Sequence, residues 1–268
     1  MPERGKPVEV APGVLRLVAN NPTPMTYHGT NTYLIEGKGG VYVLDPGPAN
    51  DEAHAKAIIE AVGVRAAGII VSHHHSDHFG LVPYLQQVLN VRVFASASFA
   101  DDTFRPDVAL QDGDEVTGLQ VLHTPGHASD HLCLGRDDGV LFTGDHVMTW
   151  NSSIVIPPDG NMGSYCAQLE RLATRDDKLY LPGHGPPLAD PIPYAHELLA
   201  NRRRRELAIV RVLGRGPSSV VELASALYRK SDPTIIWAAQ RNVEAHLFKL
   251  RHEGVVSEAA DNQWVLST

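Results

Sequence analysis

The chain has 268 residues, 43% of them hydrophobic and 20% charged. That composition excludes default disorder and suits one large domain, or a domain with a small appendage. No apolar run approaches the roughly 20 residues of a membrane-spanning helix, and residues 1–13 lack the apolar core of a signal peptide, so a soluble cytoplasmic protein with no membrane association is expected. The formal charge of −8 argues against broad coating of nucleic acid.

Along the first 190 residues, short β-branched apolar runs at 14–18, 32–35, 41–44, 68–72, 91–95, 121–124, 131–134, 140–143 and 178–181 read as strands. Helical apolar spacing falls between them at 50–62, 80–88 and 163–173. Mixed strands with interspersed helices predict an α/β, or layered α+β, domain over 1–194. The texture then changes. Residues 194–213 form a long helical stretch containing Arg202, Arg203, Arg204 and Arg205, broken by Gly and Pro at 214–217. Ser218 or Ser219 can cap a helix at 220–228, a third helix is predicted at 234–252, and two short runs at 255–257 and 264–266 read as a hairpin. Three helices and a hairpin are the winged-helix pattern, predicted for 195–268. The two cysteines, Cys133 and Cys166, are too few for a disulfide framework and read as small buried apolar residues.

Chemistry concentrates where the 68–72 strand runs into Ser72-His73-His74-His75-Ser76-Asp77-His78. Side chains alternate along an extended segment, so His73 and His75 face one way and can share a metal. The turn that follows lets Asp77 and His78 reach a second metal. Three further candidates stand just past strand ends beside glycine: His127 in Thr124-Pro125-Gly126-His127, Asp145 in Thr143-Gly144-Asp145, and His184 in Pro182-Gly183-His184-Gly185. Imidazole and carboxylate ligands without thiolate suit zinc, with iron and manganese as alternatives. His74, His131 and His146 flank these ligands and are expected to support them.

With Asp45 in Leu44-Asp45-Pro46-Gly47, these motifs in this order resemble the metallo-β-lactamase superfamily over about residues 13–190. The resemblance implies an αββα sandwich holding two divalent metal ions. His73, His75 and His127 would bind the first, Asp77, His78 and His184 the second, with Asp145 bridging and Asp45 orienting the site from behind. Catalytic roles then fall to Asp77, Asp145 and Asp45. The stretch 29–34, the Pro157-Pro158-Asp159-Gly160 loop and the C-terminal piece look like the beta-lactamase-like 2 group, which includes a single-strand-specific endoribonuclease and is similar to polyketide thioesterases. The bridging Asp145 argues against β-lactam hydrolysis as the main activity.

A metal pair of this kind implies attack by bridging hydroxide on a phosphoryl or carbonyl centre. By resemblance the expected reaction is single-stranded RNA cleavage. The alternative is hydrolysis of a small ester, thioester or lactone. A third reading, a DNA-binding sensor, is weak because 234–252 offers few exposed basic residues; duplex DNA is not an expected partner. Residues 195–268 hold 11 Lys+Arg against 8 Asp+Glu, a balance of +3 that leaves −11 for the first 194. That basic tail gives mild support for an anionic partner and is also compatible with intramolecular attraction or a homodimer. No aromatic stacking platform for RNA bases is legible in the sequence. Tyr27, His28, Asn151 and Tyr165 are the candidate substrate-binding residues.

Overall fold

The structure, a computed structural model, describes residues 2–228 and 236–267. The chain makes two compact units. The first comprises Met1–Thr124, Asp130–Ser153 and Asp176–Pro191; the second comprises Pro125–Ser129, Ile154–Arg175 and Ile192–Thr268.

Among the described residues the first unit carries two sheets. Strands β1 (Val8–Ala11), β2 (Val14–Val18), β3 (Asn31–Gly37), β4 (Gly40–Leu44), β5 (Ala66–Ile70), β6 (Arg92–Ser96) and β7 (Val108–Leu110) lie in chain order in the first sheet. They are antiparallel up to β4 and parallel from there on. Parallel neighbours need a crossover. Helix α1 (Glu52–Val62) makes the first, and α2 (Ser76–Phe79) with α3 (Val82–Leu89) makes the second. The second sheet contains β8 (Glu115–Val116), β9 (Leu119–His123), β10 (Leu132–Gly135), β11 (Val140–Gly144), β12 (Leu179–Pro182) and β13 (Leu188–Ala189), hydrogen-bonded in reverse chain order. Only β11 and β12 run parallel there.

The period-2 alternation of strand side chains sorts residues into two cores. Tyr33 and Ile35 join Ile70, Phe94, Val121, Leu134, Phe142 and Leu181 in one cluster drawn from both sheets. Leu34, between them in sequence, faces the other way and packs with Ile58, Val62, Ile69 and Leu85 beneath the helices. The nine expected strands are present, with ends shifted by one or two residues. The four that sequence reading passed over, β1, β7, β8 and β13, are two to four residues long, too short for alternation to register.

The second unit contains α4 (Met162–Ala173), α5 (Ile192–Leu213), α6 (Val220–Leu227), α7 (Ile236–His252) and the hairpin β14 (Val256–Glu258) with β15 (Trp264–Leu266). Ser219 is the α6 cap, in a reciprocal capping box with Glu222. Residues 234 and 235 of the expected third helix lie outside the described residues. Ile209, Leu213, Leu223, Val243, Leu247, Val256 and Trp264 form this unit's core. The expected division at residue 194 differs from the compact units, because α4 packs along α5 and against α7. Residues 154–175 therefore group with the C-terminal helices rather than with the sheets. No helix among the described residues is long and apolar enough to cross a membrane.

Candidate metal centre

The C-terminal ends of β5, β11 and β12 deliver the predicted ligands of the first unit. Because β11 and β12 are parallel neighbours, Asp145 and His184 emerge side by side just beyond them, joined by the Gly183 N–H donating to Gly144 O at 2.7 Å. Glycine is required at 183: a Cβ there would sit 2.5 Å from Asp145 Oδ1 and 2.7 Å from His78 Cε1. His75, extended at φ −59° and ψ 138°, is the N-cap residue of α2, and the helix turn brings the His78 ring to 4.3 Å from that of His73.

The first unit thus gathers His73, His75, Asp77, His78, Asp145 and His184. Donor atoms of His73, His78 and Asp145 lie within 4.8 Å of one another, as do those of Asp77, His78 and His184. His73 Nε2 is 3.0 Å from His75 Nδ1, and His78 Nε2 is 3.3 Å from His184 Nε2. The Asp77 and Asp145 carboxylates stand 3.2 and 3.4 Å from His184 Nε2.

Asp45 organises this cluster from behind. It is buried and held at φ 52°, in the left-handed region that aspartate tolerates better than most residues. Its Oδ1 accepts from Ser72 N at 2.7 Å, and its Oδ2 accepts from Ser72 Oγ at 2.6 Å and from His78 Nδ1 at 2.9 Å. With its own proton committed, Ser72 Oγ accepts from His73 Nδ1 at 2.9 Å. These acceptors assign the ring protons of His73 and His78 to Nδ1 and leave Nε2 of each facing the cluster. Ser72 was not singled out from sequence, since a serine before a histidine run carries no signal of its own. His131 Nε2 accepts from Asp145 N at 3.0 Å, and His74 Nδ1 meets Asp130 Oδ1 at 3.0 Å. His131 thus contacts a candidate ligand directly, whereas His74 is anchored to Asp130 beside the His73 and His75 positions. His146 is buried 5.8 Å, centroid to centroid, from the His131 ring.

His127 belongs to the second unit. Its Nδ1 donates to Ile154 O at 2.7 Å, the same tautomer logic as at His78. The adjacent Val155 N–H donates to Asn242 Oδ1 on α7 at 3.2 Å, and Asn242 is itself buried.

The electrostatics of the cluster suit a bound cation. Burial penalises every charge here, yet the opposed charges prevail. Burial lowers the His184 pKa, but Asp145 and Asp77 push it up to about 9. His78 is raised well above the usual histidine range by Asp145, Asp77 and Asp45 despite complete burial. Asp77 is held down at about 2, and Asp145 well below the carboxylate range, by His78 and His184 against burial. Two ionised carboxylates and an imidazole set that draws in positive charge fit divalent metal.

The substrate candidates separate. Tyr27 and His28 line a cavity of about 250 Å³ with Arg16, Asn31 and Gly185, next to His184 in the chain. Tyr165 is fully buried on α4, with Gly126 against its backbone and the Arg202 guanidinium 4.8 Å over its ring. Its period-3.6 position on the apolar face of α4 is that of a packing residue. Asn151 is exposed and accepts from Ser152 N at 2.8 Å. Residues far apart in the chain bring aromatic rings together here: the Tyr27 ring stacks on Trp150 at 5.1 Å and 27°, with His28 at 3.9 Å.

Comparison with known proteins agrees with this geometry. The metallo-beta-lactamase superfamily profile matches residues 25–184, and that of the beta-lactamase associated winged helix domain matches 219–264. A beta-lactamase-like protein 2 homolog of Drosophila melanogaster is 27% identical over 94% of this chain and 92% of its own length. An atrochrysone carboxyl ACP thioesterase of Claviceps purpurea is 29% identical over 80% of this chain and 70% of its own. Among solved structures, a beta-lactamase domain protein from Burkholderia ambifaria superposes with a TM-score of 0.86 at 25% identity, covering all of this chain and 95% of its own. A metallo-beta-lactamase family protein from Thermus thermophilus gives 0.80 at 26% identity, over 96% and 100%. The chain belongs to the metallo-beta-lactamase superfamily and is a metal-dependent hydrolase with a C-terminal winged helix domain.

Proposed function

We propose that this hydrolase cleaves small-molecule esters or thioesters with a pair of divalent metal ions, zinc by preference, for which His73, His75, Asp77, His78, His127, Asp145 and His184 would be the ligands. When bound, the metal pair supplies Lewis acidity and a water of lowered pKa. The chain's own residues prepare the site. Asp45 and Ser72 fix the His73 and His78 tautomers, the Ile154 carbonyl does so for His127, and Asp145 is aligned through its N–H by His131. Asp77 is the more solvent-facing carboxylate, its side chain 30% exposed against 9% for Asp145. That position suits it to accept a hydrogen bond from the attacking water and orient it, while its low pKa keeps it ionised.

The observation carrying the ester reading is what happens to the arginine run. RNA cleavage is expected by resemblance, with the basic 195–268 segment in its favour as a surface for an anionic partner, but each arginine of the 202–205 run has a partner within its own unit. Arg202 is buried over Tyr165, Arg203 pairs with Glu170, Arg204 bonds Asn201, and Arg205 donates to Leu227 O while covering the Tyr228 ring at 3.9 Å. Binding a polyanion there would compete with these contacts. A relative named as an acyl-carrier thioesterase supports the same reading. One observation favours RNA as a second reading, the Tyr27–Trp150 stack, since bases pack on such surfaces. The test pairs an acyl N-acetylcysteamine thioester with a labelled single-stranded RNA, each given to the zinc-loaded protein and to Asp145→Ala. Turnover of the thioester alone, lost in the variant, is expected; Asp145-dependent cleavage of RNA alone would overturn the proposal.

A further inference from the structure

Arg16 stands at an odd place for a cation. It lies mid-strand in Val14-Leu15-Arg16-Leu17-Val18, flanked by Val8 of β1 and Tyr33 of β3. By strand alternation it shares a face with Val14, which belongs to the core drawn from both sheets, whereas Leu17 is in the helix-side core. A residue at this register is ordinarily apolar. Its Nε is buried with no hydrogen-bond partner, and no carboxylate of the described residues pairs with it. Neighbouring Arg4, by contrast, spends its guanidinium on the Val18, Ala19 and His28 carbonyls. A part-buried guanidinium without a counter-ion is disfavoured unless something else completes it.

Arg16 opens into the cavity that Tyr27, His28 and Gly185 also line, and it is the lining's single permanently charged side chain among the described residues. The walls are built firmly. Asn31 Nδ2 donates to Pro182 O and Gly185 O, both at 2.8 Å, and Tyr33 OH donates to Pro182 O at 2.8 Å. Those carbonyls flank His184. The aromatic side is Tyr27, stacked on Trp150. At about 250 Å³ the cavity sits below the roughly 300–1,000 Å³ of drug-sized sites, which suits one ring or a short chain.

We propose that this cavity binds the anionic end of a small aromatic or acyl group, with Arg16 forking onto a carboxylate and Tyr27 covering the apolar body. The inference deepens the ester and thioester reading, on which it rests for the substrate's identity, by assigning that substrate an acid group remote from the scissile bond. The site itself can be tested by binding alone.

The probes are benzoate, benzenesulfonate and neutral benzamide, titrated into zinc-loaded full-length protein and its Arg16→Met variant by calorimetry. Benzenesulfonate is included because sulfonates are poor zinc ligands. Both anions are expected to bind the wild type about ten- to a hundredfold more tightly than Arg16→Met, with benzamide equal in the two and Arg16→Lys between them. Methionine fills the same strand position without a charge, so its thermal midpoint should match or exceed the wild type, which separates lost binding from lost folding. Anion affinities unchanged in Arg16→Met would overturn the site. Arg16-dependent anion binding in a protein that hydrolyses no thioester would support the site and refute the thioester reading.

Discussion

Replacing Asp45 by Asn is nearly isosteric, yet it should cost the centre its metal. The carboxylate accepts three hydrogen bonds in a buried position, from Ser72 N, Ser72 Oγ and His78 Nδ1. Asparagine can keep its carbonyl on Ser72 N, but its amide then points N–H at Ser72 Oγ and His78 Nδ1. Two donors cannot face each other, so His78 must shift its proton to Nε2, the nitrogen directed at Asp145 and His184, or lose its partner. The charge-assisted bond is worth about 1.5–3 kcal/mol. That predicts a ten- to hundredfold loss of zinc affinity, the range known for partners behind metal-bound histidines. Chelator competition measures it, with near-UV circular dichroism confirming native packing. Asp45→Asn holding zinc as tightly as the wild type would refute the tautomer argument.

Three further outcomes follow from the same geometry. Gly183→Ala places a methyl 2.5 Å from Asp145 Oδ1 and 2.7 Å from His78 Cε1, so at least tenfold weaker metal binding and about 1–3 kcal/mol of instability are expected in chelator and urea titrations; wild-type values in both would sink the close-packing claim. Asn242→Leu orphans the buried Val155 N–H next to the carbonyl that bonds His127, costing about 1–3 kcal/mol, whereas Asn242→Asp keeps the acceptor and should unfold later in urea than the leucine variant. For pH, metal-free His184 carries its proton up to about 9 against 6.5 unfolded. A raised pKa stabilises the metal-free fold fully below 6.5, and that contribution disappears as pH rises through 9. Metal must displace the same proton, so zinc affinity should climb over that window and binding at pH 7 should release at least one proton, read from calorimetry in buffers of different ionisation enthalpy; an affinity flat from pH 6.5 to 9 would contradict it.

The candidate ligand run from His73 to His78, the isolated Asp145 and His184, and Asp45 behind them could be singled out because each sits at a strand end whose apolar run is readable locally, and because imidazole and carboxylate at that spacing have few structural uses. The same holds for the layered α/β core and for the helix-and-hairpin pattern of the C-terminal segment, where period and capping are written within ten or twenty residues. Tertiary structure decided whatever depends on residues far apart in the chain. It buried Tyr165 under Arg202 and found an intramolecular partner for each of the four arginines. It stacked Tyr27 on Trp150, 123 positions away, and tied His127 through Ile154 and Val155 to Asn242. Arg16 was readable as a cation in an apolar strand, but its missing counter-ion was not. Local pattern reports which way a side chain points; only the folded chain determines what it meets there, and hydrogen bonding, burial and charge pairing act on that encounter.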